Sequence, residues 1–446
     1  MQRNAFNFLN EWFLSPGRKP LILRGARQVG KTWLVRELAR NHSKTLIELN
    51  FEKDPSLKSV FESNQPTQII KLLAAVLQTS IDVNNSILFL DEIQAVPELI
   101  AKLRWFAEEM PELPVISAGS LLEFALRDHT FSMPVGRISF AHIEPLSFEE
   151  FLQAYGKQAS VDYLNGWEIG EKIPEVLHYQ LLGLFKEYTL VGGMPAAVAN
   201  WVSQQSTNSL SQIHRDLLAS YRNDFSKYSG KMDTQRLEET MVAVPRFLGQ
   251  KFVFSNVNPD VHSGAIKQAL TLLNLARVCH RVQCSASNGV PLGSETRAKF
   301  FKEIFLDVGL ACALLELSLS DLNRIDDLTL INSGAVAEQV VGQLLRTLNP
   351  FYVEPALFYW QREEEGSQAE VDYVIQHGPV VIPIEVKAGA TGKLKSLHLL
   401  MTLKKLSIGV RIYSGMPLQS NDACRLISLP FYLMGQLRRV LGMVTL

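Results

Sequence analysis

The 446-residue sequence has few cysteines, no long apolar run and no excess of either charge. Its four scattered cysteines exclude a disulfide-stabilised secreted fold and favour a reducing, cytoplasmic location. Cys279, His280 and Cys284 lie close together but lack a second ligand pair at zinc spacing, so we interpret them as packing residues. No apolar run reaches the about 18 residues of a membrane helix. Asn7 and Asn10 interrupt the first segment, so we expect neither a signal peptide nor a membrane partner.

The charge balance is also informative, because 44 basic residues face 45 acidic ones and the formal net charge is -1. A nucleic-acid partner would therefore need a local basic patch. Hydrophobic residues make up 47% of the chain, which is enough for ordinary packed cores. At about 100 to 200 residues per domain, the length predicts two to four domains. Apolar strands alternate with helical stretches in the first part of the chain, which predicts an α/β fold with a parallel sheet.

A glycine-bounded loop follows the first apolar strand, at 20–23, and opens a helix. Its residues are Gly25, Ala26, Arg27, Gln28, Val29, Gly30, Lys31 and Thr32. Such a loop lets backbone N–H groups face phosphates at a helix N-terminus. Lys31 is expected to contact the β- and γ-phosphates, and Thr32 to bind Mg²⁺. A bare motif could be a chance turn before a helix, but the strand before it and the acidic strand end downstream favour ATP or GTP binding.

The acidic strand end is formed by Asp91 and Glu92, after the apolar strand at 86–91. A strand in a parallel sheet would place Asp91 at the carboxyl edge, beside the phosphates. We predict that Asp91 holds Mg²⁺ through water and that Glu92 polarises the attacking water. The other interpretation is a pair of solvated carboxylates. The Asp-Glu pair favours an ATPase over a small GTPase, and no Asn-Lys-x-Asp motif for guanine is present.

Three further residues have open roles near this site. Ser117 and Ser120, at the end of a fourth strand at 114–117, either bond the γ-phosphate and the attacking water or form a turn. Arg137 either supplies charge to the transition state, in its own or a neighbouring subunit, or packs on the surface. The role in a neighbouring subunit would require a homo-oligomer.

With these motifs in place, the sequence resembles the prokaryotic AAA-type ATPases that carry a C-terminal domain of unknown function with a restriction-endonuclease-like portion. The matching motifs are RGARQVGKT at 24–32, LDEIQ at 90–94, SAGSLL at 117–122, VGR at 135–137, PLSF at 145–148, GGMP at 192–195, DVGL at 307–310 and IEVK at 384–387. The resemblance implies an AAA-type P-loop core at 1–150, a helical lid at 151–240, a winged-helix-like segment at 241–325 and a restriction-endonuclease-like α/β domain at 326–446.

The C-terminal range contains a carboxylate pattern of that endonuclease type. Glu385 and Lys387 are two apart on a predicted strand and share a face. A hairpin through 377–379 can bring Asp372 beside Glu385, and the two carboxylates could then bind Mg²⁺ with Lys387 orienting a water. Glu338, on a predicted helix, would be an additional acidic member. The alternative is a solvated strand pattern without chemistry.

The winged-helix-like segment has weaker signals for DNA. Its positive charges are Lys251, Lys267 and Arg277, and His262 marks a plausible helix start. A recognition helix usually presents more basic and amide side chains toward one groove. Protein–protein packing is therefore an equally open interpretation of this segment.

These observations lead to one main hypothesis and two alternatives. The main hypothesis is an ATP- and Mg²⁺-binding switch that hydrolyses ATP and is coupled to a C-terminal half that contacts DNA or a protein partner. The first alternative is an ATP-gated, Mg²⁺-dependent nuclease. The second is a non-hydrolysing interaction protein that uses the nucleotide to hold its shape.

Overall fold

The computed structural model describes residues 2–127, 132–230, 232–317, 333–362, 369–421 and 425–444. The chain divides into two compact units. The N-terminal unit comprises Gln2–Glu144 and Pro350–Glu354, and the C-terminal unit comprises Pro145–Asn349 and Pro355–Leu446. In the described part of the chain, no helix is long and apolar enough to cross a membrane.

The helices have the following bounds, in chain order. They are α1 Asn4–Leu14, α2 Lys31–Asn41, α3 Pro66–Val76, α4 Leu99–Glu109, α5 Leu122–Arg127, α6 Phe148–Ala154, α7 Gln158–Gly166, α8 Glu175–Val191, α9 Pro195–Gln204, α10 Thr207–Asn223, α11 Phe225–Tyr228, α12 Thr234–Arg246, α13 Ser263–Leu275, α14 Val308–Leu314, α15 Ser333–Thr347, α16 Lys395–Lys404 and α17 Leu437–Val444.

The strands follow the same order. They are β1 Leu21–Arg24, β2 Thr45–Asn50, β3 Ser86–Asp91, β4 Val115–Ala118, β5 Ser139–His142, β6 Cys279–Ser285, β7 Thr296–Phe305, β8 Leu357–Gln361, β9 Glu370–His377, β10 Val380–Lys387, β11 Ile408–Tyr413, β12 Leu418–Asn421 and β13 Arg425–Pro430.

The sheet of the N-terminal unit is parallel and has the order β2-β3-β4-β1-β5. Every residue of β3 is buried, as expected for a central parallel strand covered on both faces. This sheet confirms the predicted α/β P-loop architecture. All carboxyl ends of the strands meet at one edge, so the loop after β1 and the acidic residues at the end of β3 share that edge.

A largely helical stretch opens the C-terminal unit, from α6 to α11, in agreement with the helical pattern of the sequence. Its start is specified locally by a capping box, in which the Ser147 hydroxyl accepts from the Glu150 amide and the Glu150 carboxylate accepts from the Ser147 amide. The lid function of this stretch stays a prediction.

The mixed sheet of the C-terminal unit has the order β12-β13-β11-β10-β9-β8-β6-β7. The β6–β7 hairpin belongs to the range predicted as winged-helix-like, and β8 onward belongs to the range predicted as endonuclease-like. Because β6 pairs in parallel with β8, the two ranges share one sheet. The division of the chain into four domains stays a prediction. The structure separates into two compact units.

A buried hydrogen-bond network connects distant segments of this unit. The carboxylate of Asp307 is fully buried and accepts from the backbone amides of Gly193 (2.6 Å) and Leu310 (3.1 Å). It also accepts from the Gln343 side chain at 3.1 Å. The carbonyl of Gly193 in turn accepts from the Leu146 amide at 2.7 Å. We call this set the Asp307 network.

Candidate nucleotide and carboxylate sites

The phosphate loop lies between β1 and α2, in a conformation that depends on residues with positive φ. Gly25 has φ 152 and Gly30 has φ 97, and Gln28 between them has φ 63. A Cβ on Gly25 would collide with the carbonyl oxygen of Ile143. The loop can therefore hold this shape only with glycine at that end, and Gln28 adopts a positive φ that few non-glycine residues adopt.

Lys31 is buried at the first turn of α2, and its ammonium is directed into the loop. Nζ donates to the carbonyl oxygens of Gly25 (2.9 Å) and Ala26 (2.7 Å). An ammonium held by neutral carbonyls at a helix N-terminus lies in a position that favours anions. The loop therefore offers both a fixed positive charge and the backbone donors that a polyphosphate requires.

Thr32 and Asp91 meet at the shared edge of the sheet, since Thr32 Oγ1 donates to Asp91 Oδ2 at 3.3 Å. Asp91 Oδ1 accepts from the Glu92 amide at 3.1 Å. Burial, followed by the charge of Glu92, raises the pKa of Asp91 to about 6. A hydroxyl and a buried carboxylate placed together are oxygen ligands of the type that Mg²⁺ prefers. These residues fit a magnesium ion.

Glu92 is oriented by a residue to which sequence analysis gave no role. Gln94 Nε2 donates to Glu92 Oε2 at 2.7 Å, and the Ser120 amide lies 3.5 Å from the same oxygen. A Cβ on Gly119 would collide with the Gln94 side-chain oxygen. Glu92 itself has φ 52, a conformation that few non-glycine residues adopt. The carboxylate is thus held at the strand edge by neighbours from two strand ends.

Strand β4 lies between β1 and β3, so its end is placed between the phosphate loop and Asp91. Ser117 is paired in register with Ile22 of β1 and Leu90 of β3. Its hydroxyl is fully buried and has no hydrogen-bond partner among the described residues. A buried, unpaired hydroxyl costs free energy, which is unusual in a settled core. The γ-phosphate role of Ser117 and Ser120 stays a prediction.

Arg137 lies at the opposite edge of the sheet from the phosphate loop. It is two residues before β5, whose first residue, Ser139, is level with Leu21 at the start of β1. Its guanidinium pairs with Glu108 at 2.6 Å and its side chain is half exposed. The amino and carboxyl edges of a parallel sheet are separated by the length of the strands, so this placement does not favour a role of Arg137 within its own subunit, which stays a prediction. The role in a neighbouring subunit stays a prediction.

Comparison with known protein families agrees with this geometry. Residues 17–152 match the AAA domain family, and residues 333–432 match a domain of unknown function, DUF4143. The chain is an AAA-type P-loop protein with a C-terminal DUF4143 domain. A second domain of unknown function, DUF8612, matches residues 182–321, between the other two. The AAA assignment supports a nucleotide-binding function of the ATPase type.

Solved structures add only distant likenesses, and no curated protein matches the chain. The Orc1 protein of Aeropyrum pernix, solved in complex with DNA, is 12% identical with a TM-score of 0.28, over 72% of this chain and 92% of that one. The RuvB Holliday junction branch migration motor of Thermotoga maritima is 15% identical with a TM-score of 0.31, over 72% and 96% of the two chains. At these TM-scores the likeness supports no conclusion about function.

In the DUF4143 domain, strands β9 and β10 form the predicted hairpin. Ile384 pairs with Tyr373, so the next positions in the antiparallel register, Glu385 and Asp372, are opposite each other. Asp372 Oδ2 accepts from the Val386 amide at 2.7 Å, and Lys387 Nζ donates to Glu385 Oε1 at 2.7 Å. The structure therefore brings Asp372, Glu385 and Lys387 together.

Lys302 and Glu370 also belong to this group, and sequence analysis gave neither of them a role. Lys302, on β7, forms ion pairs with Glu338 (3.1 Å) and with Glu370. Burial alone would lower the pKa of Lys302, but the carboxylates of Glu338, Glu370 and Asp372 raise it above its ordinary value. Burial raises the pKa of Glu338, followed by the charge of Asp372. We call Lys302, Glu338, Glu370, Asp372, Glu385 and Lys387 the carboxylate cluster.

The carboxylate cluster offers few side chains that could bind one metal ion together. In the described residues, no three or more His, Cys, Asp or Glu side chains are grouped to hold a metal ion. Glu385 is 6% exposed, and its Oε2 has no hydrogen-bond partner among those residues. An unpaired buried carboxylate oxygen beside Asp372 fits a pair of ligands to one cation. The metal site at Asp372 and Glu385 stays a prediction.

The three basic residues named for the segment before this domain, Lys251, Lys267 and Arg277, differ in how exposed they are and in what they contact. Arg277 is 6% exposed, so it is not available as a surface charge for DNA, contrary to our expectation. The ammonium of Lys251 lies 4.1 Å from the centre of the Phe300 ring. Lys267 is exposed on α13, whose N-terminus is capped by the His262 side chain as predicted.

Proposed function

We propose that this protein binds ATP with Mg²⁺ and hydrolyses it, and that hydrolysis switches the state of its C-terminal half. The observation that carries the proposal is the contact between Thr32 and Asp91 at the carboxyl edge of the sheet, with Glu92 one residue further on. Lys31 and the N-terminus of α2 provide the positive field for the phosphates on the same side.

Each residue has a separate task in this proposal. Lys31 leaves the loop carbonyls to contact the β- and γ-phosphates, while Thr32 and Asp91 hold Mg²⁺. Mg²⁺ bound by these two residues would supply positive charge to the phosphates. Glu92 orients and polarises the water that attacks the γ-phosphate, and Gln94 fixes the carboxylate of Glu92. The unpaired Ser117 hydroxyl is available to bond the γ-phosphate.

The test separates binding from hydrolysis with Glu92→Gln. This variant keeps the shape of the side chain but removes the negative charge, so we expect it to bind ATP and to hydrolyse it on the order of 10²-fold more slowly. Glu62→Gln, an exposed position of the same unit, is the matched control and should keep the wild-type rate. Phosphate release at saturating ATP measures both. Turnover by Glu92→Gln at the wild-type rate would show that another group activates the water.

The partner of the switch is DNA or a protein that contacts the C-terminal half. ATPase rates measured with and without single-stranded and duplex DNA test the DNA arm, using wild type beside Lys31→Ala and Asp372→Ala. We expect DNA, if it is the partner, to change the rate of wild type and of Asp372→Ala but not to restore Lys31→Ala. The three described cysteines are buried free thiols, which fits a reducing, cytoplasmic location.

A second function is favoured by one observation, the placement of Asp372 opposite Glu385 with Lys387 bonded to Glu385. Two carboxylates and a lysine could hold a divalent ion and orient a water for phosphodiester cleavage. Cutting of DNA in Mg²⁺ or Mn²⁺ by wild type that requires ATP and is lost in Asp372→Ala would establish an ATP-gated nuclease. Intact DNA under both metals would remove this function and leave the ATPase proposal untouched.

A further inference from the structure

The carboxylate cluster contains a cation of its own. Lys302 is 3% exposed, and its ammonium lies between the carboxylates of Glu338 and Glu370. The ring of Tyr359 provides a third contact, with the ammonium 5.3 Å from the ring centre. A lysine buried to this degree persists as a charged group only when anions surround it. Glu338 and Glu370 therefore share one positive charge supplied from inside the protein.

At Asp372 and Glu385, by contrast, one carboxylate oxygen has no partner among the described residues. Asp372 uses one oxygen to accept from the Val386 amide, and Glu385 uses Oε1 to accept from Lys387. Glu385 Oε2 is buried, and no hydrogen-bond donor reaches it within the described chain. The cost of an unpaired buried carboxylate oxygen falls away when a cation lies next to it. The carboxylate cluster thus contains two lysines, one paired with Glu338 and Glu370 and the other with Glu385, and one carboxylate oxygen, Glu385 Oε2, that no donor satisfies among the described residues.

We propose that Lys302 is a resident cation that takes the place of one metal ion in the carboxylate cluster, so that a single divalent ion binds, between Asp372 and Glu385. The inference rests on the interpretation of Asp372 and Glu385 as metal ligands. It goes further in assigning Glu338 and Glu370 to a lysine. Among the described residues, no three His, Cys, Asp or Glu side chains are grouped to hold one metal ion, which agrees with this division.

The division has a consequence for the chemistry of the site. A pair of metal ions about 3.5 to 4 Å apart stabilises both the attacking and the leaving oxygen of a phosphodiester. With Lys302 in the second position, a buried ammonium already paired with Glu338 and Glu370 occupies the place of a second ion, and an ammonium donates hydrogen bonds but does not accept ligand bonds from oxygens as a metal ion does. The carboxylate cluster is therefore built for one divalent ion and a lysine rather than for two ions.

The test counts Mn²⁺ ions by electron paramagnetic resonance titration of the full chain without nucleotide. Asp91→Asn is present in every sample, the one called wild type included, so that the ion site expected beside Thr32 does not contribute. Wild type should bind one ion per chain, and Asp372→Asn should lose it. Lys302→Met should bind two, because Glu338 and Glu370 then face no cation. Lys302→Arg, which keeps the charge, should remain at one, as should Lys299→Met, an exposed position on the same strand.

The outcomes separate the two levels of the proposal. Two ions in wild type, or one ion in both wild type and Lys302→Met, would overturn the role of Lys302 while leaving the metal site in place. No Mn²⁺ in any variant would overturn the metal site as well. If Lys302→Met does not fold in the absence of metal, its refolding is followed by tryptophan fluorescence with added Mn²⁺. Recovery with Mn²⁺ supports the proposal, and no recovery overturns it.

Discussion

ATP should stabilise the N-terminal unit against heat, and Lys31→Ala should abolish this effect. The reason is that the phosphate loop, Lys31 and the Thr32–Asp91 contact exist together only in the folded state. A ligand that binds only the folded state, at about 100 times its dissociation constant, adds about 2.7 kcal/mol to the free energy of unfolding. Lys31→Ala removes the buried ammonium that lies against the loop carbonyls and is expected to contact the phosphates.

The size of the unit sets the expected temperature shift. The unfolding entropy is about 2.1 cal/mol/K per residue, so a unit of about 150 residues has about 0.3 kcal/mol/K. If the N-terminal unit unfolds by itself, 2.7 kcal/mol raises its melting temperature by about 9 °C. If all 446 residues unfold together, the same free energy raises it by about 3 °C. Either shift is measurable, and its size reports how cooperatively the chain unfolds.

The assay is a calorimetric or fluorescence melt with ATP and Mg²⁺, compared with buffer and with Mg²⁺ alone. Lys71→Ala is the matched control, because it removes an exposed lysine from α3 of the same unit. We expect the full shift in wild type and Lys71→Ala and no shift in Lys31→Ala. A wild type that ATP does not stabilise, or a Lys31→Ala variant that keeps the whole shift, would refute the phosphate-loop interpretation.

Two further predictions follow from the buried contacts and from Arg137. Asp307→Ala leaves the buried amides of Gly193 and Leu310 without an acceptor, while Gln343 keeps the Tyr188 hydroxyl, and at about 1 kcal/mol or more for each lost acceptor it should lower the free energy of unfolding by about 2 kcal/mol. Urea denaturation should show this loss and a smaller one in Asp307→Asn, and a loss under about 1 kcal/mol in the alanine variant would contradict the account. If Arg137 acts in a neighbouring subunit, mixing Arg137→Ala with Lys31→Ala should restore part of the ATPase rate, and mixtures as inactive as their components would exclude that role.

The nucleotide half of the fold was predictable because its signals are local. The apolar runs of β1 and β3 end in residues with one dominant chemical use, and a helix pattern follows the loop directly. The fifth strand, Ser139–His142, was not predicted. It has four residues and only one large apolar side chain, so neither length nor alternation distinguishes it from a loop. Its place beside β1 follows from pairing in the sheet, which a single sequence does not contain.

In the carboxylate cluster, too, only the contacts between residues close in sequence were predictable. Strand parity and a short turn were enough to place Asp372 opposite Glu385, because the two positions belong to one hairpin. Lys302 gave no signal, since its partners Glu338 and Glu370 lie 36 and 68 positions further along the chain. A lysine on a strand is ordinarily a solvated residue. Only the curvature and order of the sheet turn this one inward, so its role is a property of the fold and not of any motif.

The Asp307 network shows that a short motif need not carry chemistry. Gly192 and Gly193, which begin GGMP, lie against DVGL and PLSF, because a Cβ on Gly192 would collide with the Asp307 carboxylate and one on Gly193 with the carbonyl of Leu146. The three motifs are therefore packed against one another. At this junction the Asp307 side chain accepts hydrogen bonds from the Gly193 and Leu310 amides. The Asp307 carboxylate is fully buried, as a catalytic carboxylate can be. Its hydrogen bonds, however, come from donors that hold the fold together. By contrast, Ser117 and Glu385 each keep a buried polar atom that the described protein does not satisfy. We therefore interpret Ser117 and Glu385, unlike Asp307, as candidate positions for a ligand.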